Sequence, residues 1–161
     1  MSSTHIHLYM THLPIIGSLL GTLVLLYGIW VKSSETKMAA YYLLIISSAG
    51  AVISYLTGEA AEETVEKIQG VTKQAIDQHE DFALIGLVAL IVLGCIALLS
   101  LFLTFRKSGF MNKVAYLALF TGLISFGIIA WTGYLGGQIR HTEINAGTNQ
   151  LPTTTEKEDD D

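Results

Sequence analysis

Four stretches of this chain, residues 13–31, 38–56, 82–105 and 114–135, contain no Asp, Glu, Lys, Arg or His. Each is close to the ~20 apolar residues that an α-helix needs to cross a hydrocarbon core. A soluble core draws its apolar residues from positions interleaved with polar ones, so blocks of this length exclude a soluble globular domain. The chain is predicted to be all-α: an integral membrane four-helix bundle made of two hairpins. Of the 161 residues, 51% are hydrophobic and 14% charged, which leaves no material for a second folded unit. Residues 1–143 are read as the transmembrane domain. Residues 144–161 end in Glu156-Lys157-Glu158-Asp159-Asp160-Asp161 and are read as a disordered acidic tail.

Charge in the links sets a topology. Lys32 and Lys37 lie between the first two spans, and Arg106, Lys107 and Lys113 lie between the last two. Positive residues close to span ends stay on the cytoplasmic side. The N-terminus, the middle connection and the tail carry Lys67, Lys73, Arg140 and Lys157 against thirteen acidic residues. Both termini are therefore expected on the outer, periplasmic side of a bacterial inner membrane. Met1-Ser2-Ser3-Thr4-His5 lacks a basic n-region, so the first span is expected to be retained and not cleaved as a signal peptide. Thr11 is placed to cap the first helix, with Pro14 in its opening turn. Trp30, Tyr41 and Tyr42 are expected in an inner aromatic belt, and Tyr9, Tyr55, Trp131 and Tyr134 in an outer one. Within residues 59–79, Val65, Ile68, Val71, Ala75 and Ile76 recur at helical spacing among charged residues, the pattern of an amphipathic helix on the bundle or in the interface plane.

The two hairpins share small signatures. Tyr55-Leu56-Thr57-Gly58 closes the second span and Trp131-Thr132-Gly133 the fourth, while His12 precedes the first and His79 the third. These suggest a parallel duplication about a pseudo-twofold axis along the membrane normal.

Several functions are excluded by what is missing. Ion and proton conduction needs ionisable groups at membrane depth, and the four spans contain none. There is no phosphate-binding glycine loop and no nucleophile with a neighbouring base in the sequence. The basic residues are dispersed and do not interleave with aromatics, so nucleic acid is not a partner. The single Cys95 lies mid-span without a second cysteine and is read as a buried apolar thiol.

Histidine is the remaining chemistry. His5, His7, His12, His79 and His141 all map to the outer side, and three of them adjoin different span ends. Metal and haem sites in helical bundles draw their ligands from facing helices. His12 and His79 are the expected axial pair for one b-type haem, with His141 or His7 as the alternative ligand. Arg140 is placed to pair with propionates, and Gly133, Gly136 and Gly137 to leave room for a flat macrocycle. Electron transfer, with a quinone or another redox partner, follows from that reading. The plainer account makes these histidines interfacial helix-end residues. Gly17-x-x-x-Gly21 and Gly133-x-x-x-Gly137 then become close-packing seams, and the protein a scaffold or assembly subunit joined to a second copy or a partner through them. A third reading is a Zn or Cu site on His12 and His79, with Glu59 or Glu80 as a carboxylate ligand.

His7-Leu8-Tyr9-Met10-Thr11-His12-Leu13-Pro14 resembles the H-x4-H-[FL]-P opening of a bacterial family of four-helix membrane proteins of unknown function, the DUF2231-like proteins. The resemblance continues in Thr57-Gly58, in His79, and in Gly133-x-Leu135-Gly136-Gly137 followed by His141, and it spans residues 5–143. It implies a four-helix membrane fold with a set of outer histidines, and no activity. The architecture is also loosely similar to that of diheme cytochrome b bundles.

Overall fold

The computed structural model describes residues 3–58 and 71–140, with side chains described for 5–58 and 71–139. They form five helices: α1 (Ser3–Met10), α2 (His12–Trp30), α3 (Ser34–Leu56), α4 (Lys73–Phe105) and α5 (Met111–Arg140). No strand occurs among the described residues. The acidic tail, residues 59–70 of the expected amphipathic segment, and His141 lie outside them.

α1 and α2 form a rod interrupted only at Thr11. That residue does not cap a helix start as expected. Its backbone is itself helical, at φ −60 and ψ −29, and its hydroxyl donates backward to the Leu8 carbonyl at 3.0 Å. The break has its cause in Pro14, which has no N–H and whose ring crowds the carbonyl four residues earlier. True caps open α3 and α4. Ser33 is extended and accepts from the Thr36 N–H at 3.1 Å; Thr72 is extended and accepts from the Ala75 N–H at 3.3 Å. Because Thr72 caps and no Gly or Pro intervenes before Phe82, α4 begins well ahead of its apolar run. The part of the expected amphipathic helix from Lys73 to His79 is thus the opening of α4, anchored by buried Ile76.

α2 packs on α3 and α4 on α5 as hairpins; α3 lies against α4 and α2 against α5. The four long helices close a ring with α2 and α4 on one diagonal. All four are long and apolar enough to cross a membrane, and the outward faces carry Leu20, Leu23, Leu26, Phe120, Leu123 and Ile124. This is a multi-pass membrane protein, whose outer surface is matched to lipid.

Small residues bring the helices together. Gly17 sits on Ser47, Gly21 on Leu44, Gly94 on Ser48, Gly122 on Thr22 and Gly133 on Ile15. The glycine seams at Gly17, Gly21 and Gly133 are consumed inside the bundle, because closely spaced backbones are how helices gain dispersion contacts when lipid is as apolar as the core. Buried hydroxyls bridge the arms of each hairpin: Ser47 Oγ donates to Pro14 O at 3.0 Å and Ser125 Oγ to Ala89 O at 3.2 Å.

Those two bonds belong to a wider correspondence. Buried Ala40, Leu44, Ser47, Ala51 and Ser54 of α3 reappear as buried Ala118, Gly122, Ser125, Ile129 and Thr132 of α5, a constant offset of 78 residues, as from Ser54 to Thr132. The turns repeat as well. Lys32 and Lys107 both take positive φ, at 55 and 49. In each case the following serine N–H reaches back five residues, Ser33 to Gly28 O at 3.1 Å and Ser108 to Leu103 O at 3.0 Å, a helix-ending motif usually built on glycine.

Two further sequence expectations change. Tyr41 is fully buried in the core and does not join a belt; it sits one turn beyond Lys37 on the inward face of α3. Cys95 is exposed on the outer face of α4, because the inward positions there are taken by Leu93, Gly94 and Ala97. The first turn of α3 also buries Lys37, whose Nζ donates to Asn112 Oδ1 at 3.0 Å and ties the two hairpins at their basic end. Asn112→Ala should lower stability by about 1.5–3 kcal/mol, the usual value of a hydrogen bond to a charged group, read from thermal unfolding in detergent.

Candidate functional site

His7, three residues from the end of α1, is the first element of the site. It is half-buried, and its Nδ1 donates to the Ser54 carbonyl in the last turn of α3, at 2.8 Å. His79 stands in the second turn of α4, also half-buried, and its Nδ1 donates to the Thr132 carbonyl of α5 at 3.1 Å. A carbonyl can only accept, so both rings carry a proton on Nδ1, and Nε2 is the nitrogen left to offer a lone pair in the neutral ring.

Each ring rests over a glycine. A methyl placed on Gly136 would lie 3.0 Å from His79 Cε1, and one on Gly58 would lie 3.5 Å from His7 Cε1. Both glycines follow the accepting residue by four positions, Gly136 one turn on within α5 and Gly58 just past the end of α3, after the C-cap Thr57. Thr132 is tied in further: its one hydroxyl proton is shared between Phe82 O at 3.1 Å and Ile128 O at 3.0 Å, holding the third turn of α4 against α5.

The expected axial pair was His12 with His79. The structure seats His7 and His79 alike, each on a backbone carbonyl of another helix. His12 is exposed, and its Nδ1 donates to Leu8 O on its own rod at 3.0 Å. The reason is helical geometry: five residues turn a helix by about 140°, so His7 and His12 cannot both face the bundle. The room expected for a macrocycle at Gly133 and Gly136 is filled by Ile15 and by His79 itself, whereas Gly137 meets nothing within 4 Å. Arg140 closes α5, with its side chain outside the described set, and His141 lies beyond it. Among the described residues no group of three or more His, Cys, Asp and Glu could hold a metal ion; Glu80 is exposed and Glu59 lies outside the described residues.

Sequence reasoning missed the acceptors. It aligned Thr57-Gly58 with Thr132-Gly133, three residues from the structural register, in which Ser54 matches Thr132 and Gly58 matches Gly136. The usable signal was [Ser/Thr]-x-x-x-Gly, present as Ser54-Tyr55-Leu56-Thr57-Gly58 and as Thr132-Gly133-Tyr134-Leu135-Gly136. No family model, curated protein or solved structure matches this chain.

Proposed function

We propose that this protein is a multi-pass protein of a bacterial inner membrane that binds one b-type haem at the histidine end of its bundle and passes electrons to a membrane partner such as a quinone. His7 and His79 are the axial ligands in this reading. The observation that carries it is the pair of imidazoles contributed by different hairpins, each with Nδ1–H committed to a backbone carbonyl. A ring held in this way has a fixed tautomer and a more basic Nε2, the usual outer-shell arrangement of a ligating histidine.

The donor set favours haem over a bare ion. A porphyrin supplies its own equatorial nitrogens, so two imidazoles suffice. A structural or catalytic Zn site takes three or four protein ligands, and no such group occurs among the described residues. The glycine side of each ring is occupied, so Nε2 is the atom by which His7 and His79 would hold the iron. Arg140, at the same end of α5, is the proposed propionate partner, with His141 the alternative ligand. Haem there supplies a one-electron carrier; the protein fixes its ligands and keeps the bundle interior dry.

The five basic residues Lys32, Lys37, Arg106, Lys107 and Lys113 share the opposite end of the bundle. This supports an orientation with that end cytoplasmic and both termini periplasmic. The His7-x4-His12-Leu13-Pro14 opening supports a relationship to the four-helix family of unknown function. An absorbance spectrum after haem-replete expression tests the function. A Soret band with a sharp α band on reduction is expected; a featureless spectrum overturns the reading.

A further inference from the structure

The two histidines are seated in the same way, and the repetition reaches beyond the rings. His7 and His79 each begin a hairpin and donate Nδ1–H to a backbone carbonyl of that hairpin's second arm. The carbonyl belongs to a buried hydroxyl residue, Ser54 or Thr132, and four residues later a glycine lies beneath the ring. Seven residues before that hydroxyl residue another buried serine, Ser47 or Ser125, bridges back to the first arm. The second hairpin is three residues longer in both arms: His79 to Lys107 against His7 to Lys32, and Ser108 to Thr132 against Ser33 to Ser54. The extra residues fall between His79 and Ala89 in the first arm and between Ser108 and Ser125 in the second, so the serine bridge shifts in register while each histidine keeps its own acceptor.

We propose that Ser54-x-x-x-Gly58 and Thr132-x-x-x-Gly136 are two copies of one imidazole seat. Their residues are the positioning residues that align His7 and His79 as an equivalent pair. The assignment rests on the reading of those histidines as the ligands of one group. In a ring of helices with α2 and α4 diagonal, a pseudo-twofold along the bundle exchanges the hairpins. It therefore relates the two seats, and each ring, held at Nδ1, would offer its Nε2 to a shared group. The seats are not equally tight. A Cβ at 3.0 Å forces the His79 ring to move by a few tenths of an ångström, whereas one at 3.5 Å beside His7 is an ordinary contact.

The experiment uses the full chain in detergent with ¹⁵N-labelled histidine. Three rings protonated on Nδ1 are expected before any haem is added: His7, His79 and His12, the last bonded only to its own rod. Gly136→Ala should shift the His79 ring signals and leave those of His7 in place. Gly58→Ala should produce a smaller shift confined to His7, and Gly137→Ala should shift neither. A His7 or His79 ring protonated on Nε2, or His79 signals indifferent to Gly136→Ala, would overturn the proposal.

With haem added, the native chain should give a six-coordinate low-spin spectrum. His7→Ala and His79→Ala should each convert it to the same five-coordinate high-spin form, and Gly136→Ala should move the reduction potential while Gly137→Ala does not. Haem bound six-coordinate in His7→Ala sinks the paired seats and leaves haem binding standing. Paired Nδ1–H rings with no Soret band sink the haem reading and leave the seats standing.

Discussion

Gly94→Ala is expected to destabilise the bundle by about 1–3 kcal/mol, the typical cost of forcing a carbon into a packed helix contact. The added Cβ would lie 2.7 Å from Ser48 Cβ and 2.5 Å from Ser48 Oγ. A hydroxyl can rotate away, but a Cβ is fixed to its backbone, so α3 and α4 must separate. Gly28→Ala belongs in the same range for a stricter reason: its Cβ would lie 2.9 Å from the Lys37 backbone nitrogen, an atom with no rotamer to change. Gly127→Ala, which meets nothing within 4 Å, serves as the matched control. It should be neutral or stabilising by a few tenths of a kcal/mol, because alanine is the better helix former. Denaturant unfolding of the three variants in one detergent checks the order. Equal stability of Gly94→Ala and Gly127→Ala would contradict the close approach of α3 and α4.

His79→Ala should cost about 1–3 kcal/mol, combining one lost hydrogen bond with the space left over Gly136. His7→Ala should cost less, because its ring touches its glycine more loosely. His12→Ala should change stability by no more than about 0.5 kcal/mol, as expected for an exposed side chain bonded only to its own turn. The same three proteins report on function. Haem six-coordination should be lost in the first two and kept in the third. A spectrum that depends on His12 and not on His7 would restore the pairing expected from sequence.

The contrast between His7 and His12 marks the limit of what the sequence conveyed. Both precede the first span, and His12 adjoins it more closely, which is why proximity favoured it. Proximity along a chain does not report which side of a helix a residue occupies. That depends on the angle between His7 and His12 and on the break before Pro14. Tyr41 and Cys95 failed for the same reason, since an all-apolar span has no polar face to show which side meets lipid. Ser54 and Thr132 were invisible as acceptors because the contact uses their backbone carbonyls, which every residue has.

The spans themselves were legible because their physics is one-dimensional. An uncharged run long enough to cross a bilayer must satisfy its backbone internally, and a helix is the only local way to do so. Chain order with short basic links then gave two hairpins, and clustering of histidines toward one end followed from topology. What only the tertiary structure decided was azimuth and register. Rotation of each helix about its axis left His7 half-buried and His12 exposed, placed Lys37 and Tyr41 inside, and aligned Ser54 with Thr132 in place of Thr57 with Thr132. These choices are made by glycine and serine contacts between helices far apart in sequence, as at Gly94 on Ser48 and Gly122 on Thr22, and no pattern within a single span encodes them.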